Sequence, residues 1–139
     1  MSDIDATTGR HLRGKYAIVG VGETAYTRGS GQTTRSLGTE AVRNAITDAG
    51  LTIADIDGMM SYSGNDSTPS PTIAGDLGIR LNFHMDVIGG GSSTEALIGI
   101  AMGVIEAGMC NAAVVYRAMN GYSQVRIGGT GRGGVGLSA

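Results

Sequence analysis

Two stretches of this sequence have the residue types and spacing to do chemistry. The first is Gly20-Val21-Gly22-Glu23-Thr24-Ala25, a G-x-G-x-x-A run directly after an apolar segment. Such a run binds a dinucleotide when a helix opens at the turn and aims its N-terminus at the pyrophosphate. Here the turn continues through Tyr26, Arg28, Gly29, Ser30 and Gly31 before any helix signal, and no well-placed acidic residue closes a second strand. A glycine-tolerant strand-to-loop turn is the better reading. The second stretch runs from Asp86 to Leu97. A strand passing through Gly89, Gly90 and Gly91 into a helix that starts at Ser92 or Ser93 offers free N–H donors and a partial positive charge to a pocket. Glycines also let a ligand come close to the backbone. An equal reading on residue type is structural: close packing at the glycines, with Ser92 as a helix cap.

The remaining candidates are weaker. Cys110 stands at the entry to an apolar strand with no base nearby, which describes a buried, inert thiol better than a nucleophile. His11 and His84 lack metal-ligand spacing. Arg117, Arg126 and Arg132 have the charge to meet a coenzyme A phosphate, but solvated loop arginines are the plainer reading. Gly128-Gly129-Thr130-Gly131 lacks the lysine and the helix that complete a phosphate cradle.

The elements that must position these residues follow from periodicity. Tyr16–Val21 is a short run of β-formers and predicts a buried first strand. Leu37, Ala41, Ala45 and Ala49 recur every four residues, with Val42 and Ile46 widening the stripe, so a helix is expected from about Thr34 to Ala49, stopped by Gly50. Gly58–Tyr62 predicts a second strand. Ser70-Pro71 has the form of a cap followed by a first-turn proline, opening a short helix that Gly78 ends. Phe83–Ile88 predicts a third strand. Ser92 and Glu95 form an S-x-x-E capping box. The helix they open is apolar on most sides through Ala96, Leu97, Ile98, Ile100, Met102 and Val104, so it is expected to be buried, ending at Gly108. Ala112–Tyr116 predicts a fourth strand. The alternation means an α/β layer with a largely parallel or mixed sheet.

With 139 residues, 41% of them apolar and 16% charged, the chain suits one globular domain. A net charge of −2 gives no pull toward nucleic acid. The single cysteine excludes an internal disulfide and fits a cytoplasmic setting. No secretory signal is visible at the start, and the most apolar stretch, Ala96 to Ala107, is too short to span a bilayer. Glycine is the outlier, at 25 residues, beside one Phe and no Trp. A core so poor in bulky groups relies on close backbone approach and on a partner surface.

A strand, a glycine/serine turn, an apolar helix ending in Ile105-Glu106-Ala107-Gly108 and a further short strand together resemble the surroundings of the nucleophile in thiolases and sterol-carrier-protein-like thiolases. The family pattern is Cys-Ser-x-Gly-x-x-Ala. Ala96 and Leu97 match the small and apolar positions after it, which puts Gly90 where the family carries its cysteine. Gly91, Ser92 and Ser93 take the next three places. The opening A-I-V-G-V-G-E-T, the helix E-A-V-R-N-A-I-T-D-A-G-L and the D-I-D-G turn also resemble that superfamily's N-terminal domain. In place of the usual A-G-G-x-E-x-M-S stands Tyr116-Arg117-Ala118-Met119-Asn120-Gly121-Tyr122-Ser123. This departure is similar to the lipid-transfer-protein branch, which includes aldolases of steroid side-chain breakdown.

The resemblance implies an incomplete part of a layered αβαβα thiolase-like domain over residues 15–123, after a mobile leader at 1–14 and before a glycine-rich irregular tail at 124–139. The family's later glycine-histidine-proline and cysteine-glycine motifs, and the aldolase branch's catalytic tyrosines, have no counterpart here. It also implies a coenzyme A thioester as substrate, with no cofactor and no metal. Gly89, Gly90, Gly91, Ser92, Ser93, Met119 and Asn120 are the expected pocket, and no catalytic residue is assigned. Thiolysis parks an acyl group on a thiolate, which glycine cannot provide. A retro-aldol cleavage needs only a base and a hole of N–H donors for the enolate. The expectation is therefore an aldolase-type lyase that pairs as a homodimer, and with a small OB-fold acyl-CoA-binding subunit. A non-catalytic subunit, a lipid-binding scaffold or a truncated, inactive product are the alternatives.

Overall fold

The computed structural model describes residues 12–62 and 66–122. In chain order it holds α1 (Thr34–Asp48), a 3-10 turn (Ile53–Asp55), β1 (Gly58–Tyr62), α2 (Ser70–Leu77), β2 (Phe83–Val87), α3 (Ser93–Glu106) and β3 (Ala113–Tyr116). The three strands are parallel in the order β2-β1-β3. The tail at 124–139, with Arg126, Arg132 and Gly128–Gly131, lies outside the described residues, as do His11 and most of the leader. Of the leader, Leu12 to Gly14 enter a turn closed by the Lys15 N–H on the Leu12 carbonyl at 3.2 Å.

Local signals set the helix ends. Thr33 caps α1 by accepting from the Ser36 N–H at 3.1 Å. At the other end Gly50 turns left-handed at φ 68°, so that Gly50 and Leu51 donate back to Thr47 and Ile46. Gly78 and Gly108 end α2 and α3 by the same device.

The sheet is covered on both faces. Met59 points to one side, against Val42 and Ile46 of α1 and Ile73 and Ala74 of α2. Met60 and Tyr62 point to the other, against Leu97 of α3. Alternation along a strand buried on both faces produces this division. The layers are thus α, β and α, part of the αβαβα arrangement expected.

Three expectations are corrected. Tyr16–Val21 is not a strand of the sheet, and Ile18, Val19 and Val21 are 70%, 64% and 71% exposed. Its glycines explain how it is held: a Cβ on Gly20 would collide with Ala45 and Ala49, and one on Gly22 with Ala41 and Ala45. The alanine stripe of α1 is therefore a seat for this segment, fixed further by Val21 N–H to Asp48 at 2.9 Å and Asn44 Nδ2 to the Glu23 carbonyl at 3.0 Å. Helix α3 is covered on its sheet side alone: Leu97 is buried, while Ile98 is 37% exposed and Gly99 and Gly103 face open space. An all-round apolar helix needs cover on two sides, and the described residues give it one. Finally, Ser70 does not cap α2. It lies inside the first turn, and its N–H donates to both carboxylate oxygens of Asp86, at 3.0 and 3.2 Å.

Candidate active site

Because all three strands are parallel, their C-terminal ends share one edge, where Val87 and Tyr116 flank the end of β1. Ligands of open α/β sheets bind at that edge. The buried polar side chains Ser61, Asp66, Ser70 and Asn120 all belong to it. A polar group taken from water requires partners; Ser61, Asp66 and Asn120 have them, while the Ser70 hydroxyl is buried without one among the described residues.

On one flank β2 runs out into Ile88, which is 78% exposed, and then Gly89, Gly90 and Gly91. The Ser93 N–H closes this turn on the Gly90 carbonyl at 3.0 Å, and Ala96 N–H bonds the Ser92 carbonyl at 3.1 Å. The expected capping box does not form. Ser92 already has helical angles, φ −73° and ψ −4°, whereas a capping side chain needs an extended backbone to reach forward. Ser93 instead fills the place beside Gly89, where its Oγ lies against the position of a Cβ. Gly90 and Gly91 differ. A Cβ on either meets nothing within 4 Å, and neither has the left-handed backbone that requires glycine.

On the other flank Arg117 follows β3. Its guanidinium stacks 3.9 Å from the centre of the Tyr62 ring and donates to the Tyr62 carbonyl at 2.7 Å and to Asp66 at 2.8 Å. Asp66 is almost wholly buried, so this is a fixed ion pair and not a solvated loop arginine. The same guanidinium reaches the sulfur of Met119 at 3.1 Å. Met119 is 55% exposed, while Asn120 is buried and donates to the Gln32 carbonyl. The fold brings the glycine turn and Met119-Asn120 to the same edge, with the β1 exit between them. Of the sequence candidates, Gly90, Gly91 and Met119 face outward, and Asn120 serves as a tie.

The sequence reading did not single out the row beneath this edge. Asp86, Ser61 and Tyr116 stand side by side across the three strands. Burial pushes the Tyr116 phenol far above its ordinary value; the Ser61 hydrogen bond opposes this and the nearby Asp86 charge adds to it. The Tyr116 hydroxyl donates to the Thr68 carbonyl at 2.5 Å. No signal along the chain marks this row, because its three members meet only through the pairing of the strands.

The other candidates fall elsewhere. Cys110 is buried at the opposite edge, beside Gly58, and its thiol is pushed up by burial and then by the Asp57 charge, which leaves it protonated and unreactive. His84 is exposed near the start of β2. Among the described residues no three His, Cys, Asp or Glu side chains group as metal ligands. Gly20 and Gly22 serve the α1 contact, and no helix opens at their turn.

Comparison with known proteins finds relatives over most of this chain. No protein-family model matches the chain. A 17-hydroxy-3-oxo-4-pregnene-20-carboxyl-CoA lyase of Mycobacterium tuberculosis is 35% identical over 118 residues, covering 84% of this chain and 30% of that protein. A steroid side-chain-cleaving aldolase of Thermomonospora curvata is 36% identical over the same length and with the same coverage. A solved Ltp2-ChsH2(DUF35) aldolase superposes with a TM-score of 0.74 at 35% identity, over 82% of this chain and 30% of that one. The likeness is to the thiolase superfamily, in the branch that holds steroid side-chain aldolases. A monomeric SCP2-thiolase-like protein type 1 of Mycobacterium smegmatis shares the fold, with a TM-score of 0.58 at 24% identity over 70% of this chain and 22% of that one. This thiolase-like chain spans about a third of the length of the curated relatives it matches.

Proposed function

We propose that this thiolase-like chain is part of an acyl-CoA aldolase that cleaves a β-hydroxyacyl-CoA into a ketone and a shorter acyl-CoA, without a nucleophilic cysteine. The observation that carries the reading is the bare backbone at Gly90 and Gly91. Glycine there costs conformational entropy, and neither backbone angle nor packing requires it. Its use is to leave the entrance of α3 clear for a bulky group. The steroid side-chain aldolases among the relatives support the same chemistry.

In the cleavage a base takes the β-hydroxyl proton and the carbonyl of the ketone forms. The α,β carbon–carbon bond breaks, and its electron pair passes into the thioester as an enolate, which is then protonated at the α-carbon. Gly89 to Gly91 lie beside the thioester, and the N-terminal end of α3 supplies N–H donors and positive potential to the enolate oxygen. The relatives' extra length leaves room for the base elsewhere in a complete protein.

A partner belongs to this reading. Ile18, Val19, Val21, Ile98 and Met109 are all exposed, more apolar surface than a lone domain should show. This supports a homodimer, and the two-component aldolase among the similar structures supports a small acyl-CoA-binding OB-fold subunit. No helix among the described residues is long and apolar enough to cross a membrane. The lone cysteine supports a cytoplasmic setting as part of this reading. The same surfaces would suit a non-catalytic subunit or a truncated product. Titration of the purified chain with acetyl-CoA, followed at the glycine turn amides, separates these: the aldolase reading expects saturable shifts at Gly89 to Ser93. Acetoacetyl-CoA thiolysis above background, or an acyl adduct trapped on Ser92 or Ser93, would overturn it.

A further inference from the structure

Helix α2 begins at the same edge as the glycine turn, and its free donors can be accounted for one by one. Pro71 has no N–H. Thr72 and Ile73 donate to the Pro69 carbonyl, at 3.1 and 3.4 Å. The remaining N–H, that of Ser70, meets Asp86. A carboxylate at this end also offsets the positive pole of the helix.

Asp86 lies one residue before the end of β2. Beyond it, Ile88 to Ser92 are exposed, and no side-chain hydrogen bond holds any of them among the described residues. The next fixed points are the Ser93 N–H on Gly90 and the buried side chain of Leu97. Asp86 is thus the last side chain held by a hydrogen bond before the turn, with only the apolar packing of Val87 between them. We propose that Asp86 is a positioning residue for the glycine turn: by holding the first N–H of α2, it fixes the point from which Gly89 to Gly91 leave the sheet. This rests on the reading of the turn as the acyl-CoA contact, since only then does the position of the turn matter to function.

Amide hydrogen exchange on the full chain tests it without any ligand, using the Ser93 amide to report closure of the turn. Asp86→Ala should speed Ser93 exchange about tenfold relative to the core amides of Met59 and Met60. Asp86→Asn keeps an acceptor and should stay within about threefold of the parent. Ser70→Pro removes the same bond from the other side, so combining it with Asp86→Ala should add nothing further. Unchanged Ser93 exchange would overturn the proposal, because Asp86 would then only cap α2. Equal acceleration at Ser93, Met59 and Met60 in the Ala and Asn variants would also overturn it, making Asp86 a residue of global stability. A repeat of the parent measurement with acetyl-CoA tests the acyl-CoA reading separately: no change at the turn sinks that reading and leaves the positioning result standing.

Discussion

Asp57 should be a sensitive carboxylate in this domain, and the effect should fade in acid. It sits just before β1, and one oxygen accepts from the N–H groups of Asn111 and Ala112 at 2.7 and 3.1 Å. The other accepts from the side-chain amides of Asn82 and Asn111, at 3.0 and 2.8 Å. One side chain thereby ties together the starts of all three strands. The two asparagine side-chain bonds lie on exposed residues, where water replaces much of their worth. Of the two backbone bonds, that from Ala112 is half-buried and that from Asn111 exposed, so Asp57→Ala should cost roughly 1–2 kcal/mol. Asp57→Asn keeps the shape but turns an NH2 toward donors, and should cost about 1–2 kcal/mol. Burial alone would raise the Asp57 carboxyl, but the Ala112 and Asn111 N–H groups, with the two side-chain amides, outweigh it and hold the group below its ordinary value. The folded state therefore binds fewer protons than the unfolded chain near the carboxylate range. This contribution is complete above about pH 4 and is lost as pH falls through the depressed folded value. Urea unfolding of parent and Asp57→Asn chains should show a gap at pH 7 that closes toward pH 2. A gap that is constant or grows across that range would refute the reasoning.

Other substitutions separate structural from chemical roles. Gly90→Cys should fold, since its side chain meets no neighbour, yet it should crowd the substrate and leave retro-aldol turnover no higher; increased turnover would count against the open-turn reading. Ser92→Ala should change the urea midpoint by less than about 0.5 kcal/mol equivalent, because its hydroxyl caps nothing. Arg117→Met should cost about 3 kcal/mol by leaving Asp66 buried without the guanidinium, and Arg117→Lys should recover only part of that, since an ammonium cannot make the stacked, forked contact. Denaturant melts read both Arg117 variants directly, and equal stability of parent and Met variant would dismiss the ion pair.

Local signals were legible where one short stretch decides the outcome. The left-handed glycines at 50, 78 and 108 ended their helices, and β1, β2 and β3 fell within a residue of their expected bounds. What failed depends on cover from elsewhere. Tyr16–Val21 has the composition of a strand, but a strand exists only where a neighbour supplies hydrogen bonds. The apolar girth of α3 signals burial without saying which surface provides it. At Ser92 the motif was present and the backbone conformation was wrong for it. Around the site, the glycine turn was visible as a run of one residue type. The Asp86–Ser70 and Arg117–Asp66 pairs are set by tertiary contact, and spacing along the chain carries no trace of either.

The middle strand in space is the first in sequence, and this bears on how the protein is made. As β1 leaves the ribosome both of its edges are bare, with Met59 and Met60 among the side chains it carries. Its link to the start of β2 closes a loop of 25 residues, from Asp57 to Asn82, whereas the link to β3 must wait for Ala112, 55 residues on. Parallel pairing over such separations is slow to nucleate and leaves an open edge meanwhile. A nascent chain paused after α3 would hold β1 half-paired, with an apolar flank and a free row of amides, and that is the stage at which a chaperone or a second nascent chain would find it.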